Sequence, residues 1–253
     1  MILRRIDTCK YSEYIQYAKE CTANSVYPLS IATGIQDGEI YIDDKGCVLF
    51  WHYCGFAYIS GDVSADALEE VYKKFLMPDK ERRFILITDS EFVSGYYSDR
   101  GLLRCDKRIE YYHGGTPKNL PELDDIFFVE RIAEDNIETI QGRIIPSFSW
   151  KSSEAFLQDG FGFIARSKED GGFAAVAFSS AVSPEETDIG VETAEAYRHH
   201  GLASYLANKM CEEIIKQGKK PVWAHAEMNT GSQKTALSVG FKPGGINTVI
   251  QKK

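Results

Sequence analysis

The sequence predicts an α/β fold of the mixed (α+β) kind, and three observations support it. Ile189, Val191 and Thr193 alternate with polar or small residues, which is the period of a half-buried strand. A helix follows, because apolar residues recur every four positions along one face: Leu202, Leu206, Met210 and Ile214. Upstream, strand-like runs at 161–166 and 173–182 flank the turn SKEDGG and predict a hairpin.

The first half of the chain predicts a small α/β unit of its own. Its predicted elements are a helix over 8–25, strands over 38–44 and 48–60, a helix containing Leu68, Val71, Tyr72 and Phe75, and a strand over 83–88. The polar stretch 113–125, which contains glycine and proline, is typical of a linker. We therefore place a domain boundary near residue 120, between an N-terminal domain over 1–120 and a second domain over 123–253.

The second domain shows a denser succession of elements. They are a strand over 126–132, a short acidic helix from Glu134 that ends before Pro146, a helix capped by Ser152 or Ser153 and ended by Gly160, the hairpin, the strand at 188–193 with its helix, a strand over 221–227, and a last helix from Asn229 that precedes Gly240 and Phe241. The turn between the strand at 188–193 and its helix is the most informative pattern in the chain.

This turn has the properties of a phosphate site. Backbone N–H groups at a helix start lack intrahelical partners, and the helix dipole adds positive potential there. Small residues leave this backbone accessible, and an arginine adds a cation, in the run Arg198, His199, His200, Gly201, Leu202 and Ala203. The two adjacent histidines point apart on one helical turn, and no other histidine lies at ligand spacing, so we expect no metal.

Composition disfavours several classes of function. Charged residues make up 26% and hydrophobic residues 43% of the chain, which is typical of a folded globular protein. The net charge of -8 disfavours a nucleic-acid partner and suits a cationic acceptor. No apolar run approaches the roughly 20 residues of a membrane helix, and the N-terminus lacks a secretory signal, so we expect a cytoplasmic protein without a membrane partner. Six scattered cysteines are typical of reduced thiols.

The turn and the elements around it follow a recognisable order. Arg198, Gly201 and Ala203 supply the pattern Arg/Gln-x-x-Gly-x-Gly/Ala between a strand and a helix. With the later Asn-x-x-Ser helix and Gly-Phe pair, the second domain resembles the GNAT superfamily of acyl-CoA N-acyltransferases. Trp150 and the run GFGFIAR are similar to segments of zwittermicin A resistance-type acetyltransferases. The resemblance covers about 123–253 and implies a mixed, mostly antiparallel GNAT sheet flanked by helices.

The resemblance also implies acetyl-CoA as the co-substrate and identifies the residues that would hold it. The pantetheine arm would lie against the backbone of Val191, Glu192 and Thr193, and the pyrophosphate against 198–203. Asn229 and Ser232, at the start of the last helix, would lie on the cofactor side. A helix-capping role alone would explain Asn229 equally well.

Acetyl transfer to an amine requires a neutral amine and a proton for the departing thiolate. Glu192 is the first candidate for the proton acceptor, with Asp188 on the same strand face unless a β-bulge intervenes. Glu227 and His225 are the next candidates, and a solvated strand-end carboxylate is the alternative for each acid. In many GNAT enzymes a tyrosine five residues before the phenylalanine of the Gly-Phe pair protonates the thiolate, and that position is Ala236 here.

The leading hypothesis is an acetyl-CoA-dependent N-acetyltransferase that acts on a small-molecule amine, with the N-terminal domain shaping the acceptor site or a homodimer contact. The alternative is a catalytically degenerate acyl-CoA-binding regulatory or sensor module, which Ala236 favours. A nucleotide-binding Rossmann unit is disfavoured, because the turn contains one glycine where that fingerprint uses three.

Overall fold

The computed structural model describes residues 2–79, 81–119 and 122–253. The chain forms two compact units: unit 1 comprises Met1–Glu110 and Gly245–Lys253, and unit 2 comprises Tyr111–Gly244. The last segment of the chain therefore belongs to the first unit. Residue 120, near which the sequence predicts a domain boundary, lies outside the described residues.

Unit 1 is a sheet with helices on the connections between its strands. Its elements are β1 (Arg4–Arg5), a 3-10 helix (Thr8–Tyr14), α1 (Ile15–Lys19), α2 (Val26–Ala32), β2 (Gly38–Ile42), β3 (Cys47–His52), β4 (Phe56–Gly61), α3 (Ala65–Val71) with a π-helical turn (Tyr72–Leu76), β5 (Ile85–Thr88), α4 (Glu91–Ser98) and β6 (Leu103–His113), which runs on into unit 2. The strand order is β1-β2-β3-β4-β5-β12-β6, where β12 (Phe241–Lys252) returns from unit 2. Neighbours from β1 to β4 are antiparallel, whereas β4 and β5 are parallel.

Two predictions for this unit were wrong in detail. The single helix expected over 8–25 is a 3-10 helix followed by the short α1, which ends at Lys19, and Asn24 beyond it adopts a non-helical positive φ of 69°. The single strand expected over 48–60 is a hairpin of β3 and β4. Its turn is closed by a bond from the Gly55 N–H to the His52 carbonyl oxygen, and Gly55 has a φ of 96°.

Unit 2 carries the elements that position the candidate site. They are β7 (Phe127–Arg131), 3-10 turns at Ile137–Thr139 and Pro146–Phe148, α5 (Ser153–Asp159), β8 (Gly162–Ser167), β9 (Phe173–Val182), β10 (Glu186–Thr193), a 3-10 turn (Glu195–Tyr197), α6 (Leu202–Lys216), β11 (Lys220–Ala226) and α7 (Thr230–Ser238), followed by the start of β12. The strand order is β6-β11-β10-β9-β8-β7. Strands β7 to β10 pair antiparallel, and β10 and β11 pair parallel, so the predicted mixed, mostly antiparallel sheet flanked by helices is confirmed.

Most of the elements predicted for the second domain are present in unit 2. The apolar face of α6 is fully buried, as its four-residue spacing predicts. Ser152 caps α5 by accepting a hydrogen bond from the Ala155 N–H, and Gly160 ends the helix. The acidic helix expected from Glu134 is wrong, because the Asn136 side chain bonds the backbone of Arg131 and Ala133 and leaves only a 3-10 turn.

Candidate functional site

Strands β10 and β11 lie side by side for only part of their length. Their parallel pairing ends at Asp188 opposite Val222, yet β10 continues to Thr193 and β11 to Ala226. The residues beyond the last pair, 189–193 and 223–226, form what we call the strand opening. On its other edge β10 stays paired with β9 through Thr193 opposite Ala175, so the strand is held in place while its β11 edge is left open. An extended chain can pair with such an edge.

The turn at 198–203 follows the end of β10 and begins α6. Gly201 is the N-cap residue, with φ 76° and ψ -1°, and it has no side chain to bond the first N–H groups. Within the described part of the chain, the N–H groups of residues 199–204 donate to no backbone carbonyl, and the first turn of α6 contains no acidic residue. His199 also has a positive φ of 72°, which is uncommon for a residue other than glycine. Uncapped donors at a helix start, together with the helix dipole, are suited to an anion.

Aromatic contacts hold this turn in place. The rings of Tyr197 and His200 both pack edge-on against Phe127 of β7, with centroids 5.5 Å apart in each pair. His200 Nδ1 also lies 3.7 Å from a carboxylate oxygen of Asp124. Arg198 is exposed and has no salt bridge among the described residues, so its guanidinium is available to an anion at the turn.

A cavity of about 260 Å³ adjoins the turn, between the start of α6 and the end of α7. Its lining consists of Glu122, Leu123, His200, Gly201, Ser204, Tyr205 and Ser238. Among these lining residues, the hydroxyls of Ser204 and Ser238 lie 2.8 Å apart. Leu202 and Ala203 continue the first turn of α6, where Leu202 is buried and Ala203 is partly exposed. The turn therefore borders a cavity rather than a flat surface.

The start of α7 holds the two residues predicted on the cofactor side. Asn229 caps the helix, because its Oδ1 accepts a hydrogen bond from the Ser232 N–H at 3.1 Å. The Ser232 hydroxyl accepts a bond from the Trp223 indole N–H at 3.0 Å and so ties α7 to β11. Ala236, at the position of the family's tyrosine, is fully buried.

Glu192 lies in the strand opening and is held by a neighbouring loop. Its Oε2 accepts a hydrogen bond from the Ile144 N–H at 3.1 Å. Gly142 packs against it so closely that an added Cβ would lie 2.7 Å from the Glu192 Cγ. The carboxylate is thus fixed in position, with one oxygen engaged.

Asp188 occupies a different part of β10 from Glu192. It is only 4% exposed and lies in the paired part of the strand, opposite Val222. The register with β9 shifts between Asp188 and Ile189, where Ser180 is the extra residue on β9. The extra residue of this bulge lies on β9 and not on β10, and of Asp188 and Glu192 it is Glu192 that lies in the strand opening.

A family model described as GNAT acetyltransferase matches residues 19–248. The chain belongs to this family. The match reaches well beyond the range of 123–253 over which the sequence resembles it, and includes much of unit 1. No curated protein matches the chain.

Solved structures share the fold of this GNAT chain. A GCN5-related N-acetyltransferase-like protein from Streptococcus suis is 19% identical, with a TM-score of 0.69 over 98% of this chain and 100% of its own. A tandem GNAT protein from the clavulanic acid biosynthesis pathway is 11% identical, with a TM-score of 0.62 over 98% and 96% of the two chains. A GCN5-related N-acetyltransferase from Kribbella flavida is 15% identical, with a TM-score of 0.62 over 93% and 95%.

Unit 1 of this GNAT protein repeats the element order of unit 2 with a different turn. Its parallel strands β4 and β5 also separate, after Ala57 opposite Leu86, and a cavity of about 590 Å³ lies at their ends. The helix that follows, α3, is capped by the Ser64 hydroxyl, which accepts a bond from the Ala67 N–H, and Asp66 stands in its first turn. A capped and acidic helix start repels phosphate. Of these two described turns, the one in unit 2 is the one suited to an anion.

Two further features of the described residues bear on cofactors and membranes. No group of three or more His, Cys, Asp or Glu side chains in that part of the chain could hold a metal ion. No helix there has the length and apolar character needed to cross a membrane.

Some residues that shape the site were not found from the sequence. Gly142 and Ile144 fall within the wrongly predicted acidic helix, and the glycine was the signal that the helix does not extend that far. Phe127 and Tyr205 carry no local signal, because their roles depend on contacts with distant segments.

We expect Gly142→Ala to destabilise the protein, because the new Cβ would press on Glu192 and alanine disfavours the Gly142 φ of 122°. Overpacking of this kind costs about 1–3 kcal/mol. Thermal unfolding of Gly142→Ala, Glu192→Ala and the double variant measures the coupling. The loss caused by Gly142→Ala should be smaller in the Glu192→Ala background, and equal losses in both backgrounds would show that the contact is unimportant.

Proposed function

We propose that this GNAT acetyltransferase is an acetyl-CoA-dependent N-acetyltransferase that transfers the acetyl group to an amine of a small-molecule acceptor. The observation that carries the proposal is the combination, in unit 2, of an open strand edge with an uncapped helix start directly after it. The first can pair with the amide groups of an extended pantetheine arm, and the second can bind a pyrophosphate.

The proposed cofactor contacts follow from this arrangement. Backbone groups of Val191, Glu192 and Thr193 face the pantetheine arm along the open edge of β10. The N–H groups of 198–203 and the Arg198 guanidinium bind the pyrophosphate. Asn229 and Ser232 are proposed to border the arm from the start of α7, beside the bonds that fix the helix start. No metal ion takes part.

Glu192 is the proposed acceptor of the first proton. An alkylamine with a pKa near that of lysine, about 10.4, reaches the site as an ammonium ion and must lose a proton before it can attack. A carboxylate held by the Ile144 N–H through one oxygen keeps the other for this cation. Asp188 is proposed to support it through charge, from the buried part of β10.

The class of acceptor and the subgroup of the family are also proposed from the sequence. The net charge of -8 favours a cationic amine, and Trp150 with the run GFGFIAR favours the zwittermicin A resistance-type subgroup. We propose a cytoplasmic location, and a role for unit 1 in acceptor binding or in a homodimer contact. The sensor alternative, which rested on Ala236, is not favoured by the family match.

Release of CoA thiol from acetyl-CoA in the presence of polyamines, aminoglycosides or amino acids tests the reaction. Glu192→Gln should lower kcat about 100-fold, within the range for loss of a general base, and leave acetyl-CoA affinity unchanged, because glutamine still accepts the Ile144 N–H. Glu195→Gln, which removes the same charge from an exposed turn, is the matched control and should keep full activity. A fully active Glu192→Gln enzyme would show that Glu192 does not accept the proton and is a solvated carboxylate at the end of the strand.

The two ends of α6 offer a matched pair of variants for the phosphate turn. Gly201 and Gly218 have φ values of 76° and 77°, and neither has an atom within 4 Å of an added Cβ. Alanine therefore introduces the same backbone strain at each. Gly201→Ala should weaken acetyl-CoA binding at least about tenfold, since the helix start must shift or the Cβ must meet the phosphate, whereas Gly218→Ala should not. Equal affinities in titration calorimetry would refute the assignment of the turn.

A further inference from the structure

His225 is buried in the strand opening, and only one of its two ring nitrogens makes a hydrogen bond among the described residues. It stands on β11 beyond the last pair with β10 and is only 4% exposed. Nδ1 lies 2.8 Å from the Ala226 carbonyl oxygen. Because a carbonyl oxygen can only accept, Nδ1 carries the proton, and in the neutral ring Nε2 holds a bare lone pair.

Nε2 of His225 is a buried acceptor without a partner among the residues that the structure describes. Leaving a buried polar atom unsatisfied costs free energy, so such atoms mark functional or ligand-binding positions. The ring is also fixed in orientation, because it stacks on Tyr111 at a centroid distance of 5.1 Å and an interplanar angle of 28°. A buried base that is fixed in orientation and has an unpaired ring nitrogen is suited to receive a proton from a bound ligand.

His225 lies on the side of β11 that faces α7. Side chains alternate along a strand, so His225 shares a face with Trp223, whose indole N–H donates to Ser232 of α7. The same helix carries the fully buried Ala236, at the position where the GNAT resemblance implies a tyrosine that protonates the thiolate. An alanine methyl group has no proton to give, and His225 offers a titratable group on this face.

We propose that His225 is a catalytic residue that carries the second proton of the transfer. In this step, which rests on the proposed function, the neutral amine attacks the thioester carbonyl carbon, a C–N bond forms and the C–S bond breaks. The proton that the amine nitrogen loses moves to Nε2 of His225. It then passes from Nε2 to the departing thiolate sulfur, so that the products are the amide and CoA thiol and the imidazole is neutral again.

This assignment gives the two separated strands different tasks. Glu192, on β10, takes the proton that converts the arriving ammonium ion to an amine. His225, on β11, takes the proton released on attack and returns it to the sulfur. If Glu192 alone accepted both protons, it would have to release the first to solvent before it could accept the second. With a second acceptor, His225 on the neighbouring strand, that release is not needed before the attack.

The location of His225 is tested by nitrogen NMR on full-length protein with labelled histidine. Saturating acetyl-CoA should shift the His225 Nε2 resonance, because a thioester or its pantetheine arm arrives beside an unpaired nitrogen. His52, which is fully buried in unit 1, is the internal control and should not move. Movement of His199 and His200 without movement of His225 would place the cofactor away from Nε2 and overturn the proposal.

The role of His225 is tested by kinetics. His225→Gln should lower kcat about 100-fold and leave acetyl-CoA affinity unchanged, and added imidazole should restore part of the activity of His225→Ala. His113→Gln is the matched control, because Nε2 of His113 already bonds the Val239 carbonyl and Nδ1 accepts the Gly115 N–H. A His225→Gln enzyme with full kcat would overturn the proposal.

The outcomes for the two proposals can be told apart. Acetyl-CoA binding without transfer to any amine overturns the N-acetyltransferase proposal and the proton-carrying role with it, while the NMR shift still decides whether His225 faces the cofactor. Acetyl transfer at full rate after the loss of His225 overturns only the proposal that His225 carries the proton. A chain that does not bind acetyl-CoA overturns both.

Discussion

The separation of β10 from β11 is the constraint on which the rest of the site depends. Two paired strands satisfy each other's backbone groups, so an opening between them is stable only where other contacts hold each strand in place. Here β9 holds β10 to its end, and the bond from Trp223 to Ser232 holds β11 against α7. The opening exposes backbone groups to a ligand and places Glu192 and His225 on its two sides.

The start of the helix after the opening differs between the two units of the chain. Both contain a pair of parallel strands that separate, followed by a helix. In unit 1 that helix is capped by Ser64 and begins with an acidic turn, whereas in unit 2 a bare Gly201 leaves the N–H groups uncapped. An open strand edge can pair with an extended chain of any charge, and uncapped N–H groups at a helix start favour phosphate.

Local patterns in the sequence predict the elements of this fold well, and they predict contacts between distant segments poorly. The four-residue spacing of α6, the Ser152 cap and the hairpin strands expected over 161–166 and 173–182 depend only on neighbouring residues, and each is present as expected. The return of β12 to β5 in unit 1, and the contact of Gly142 with Glu192, join residues far apart in sequence. His225 is a further example. From the sequence it is a candidate of the same rank as Glu227, and it is distinguished from Glu227 by its burial and by the absence of a hydrogen-bond partner for Nε2 among the described residues.

A structure of the chain with acetyl-CoA bound tests whether the opening between β10 and β11 and the start of α6 form one cofactor site. We expect one acetyl-CoA per chain, in unit 2, with its pyrophosphate on the N–H groups of 198–203, its arm along the open edge of β10 and its thioester beside Glu192 and His225. Cofactor in the unit 1 opening, or a pyrophosphate bound away from the start of α6, would contradict it.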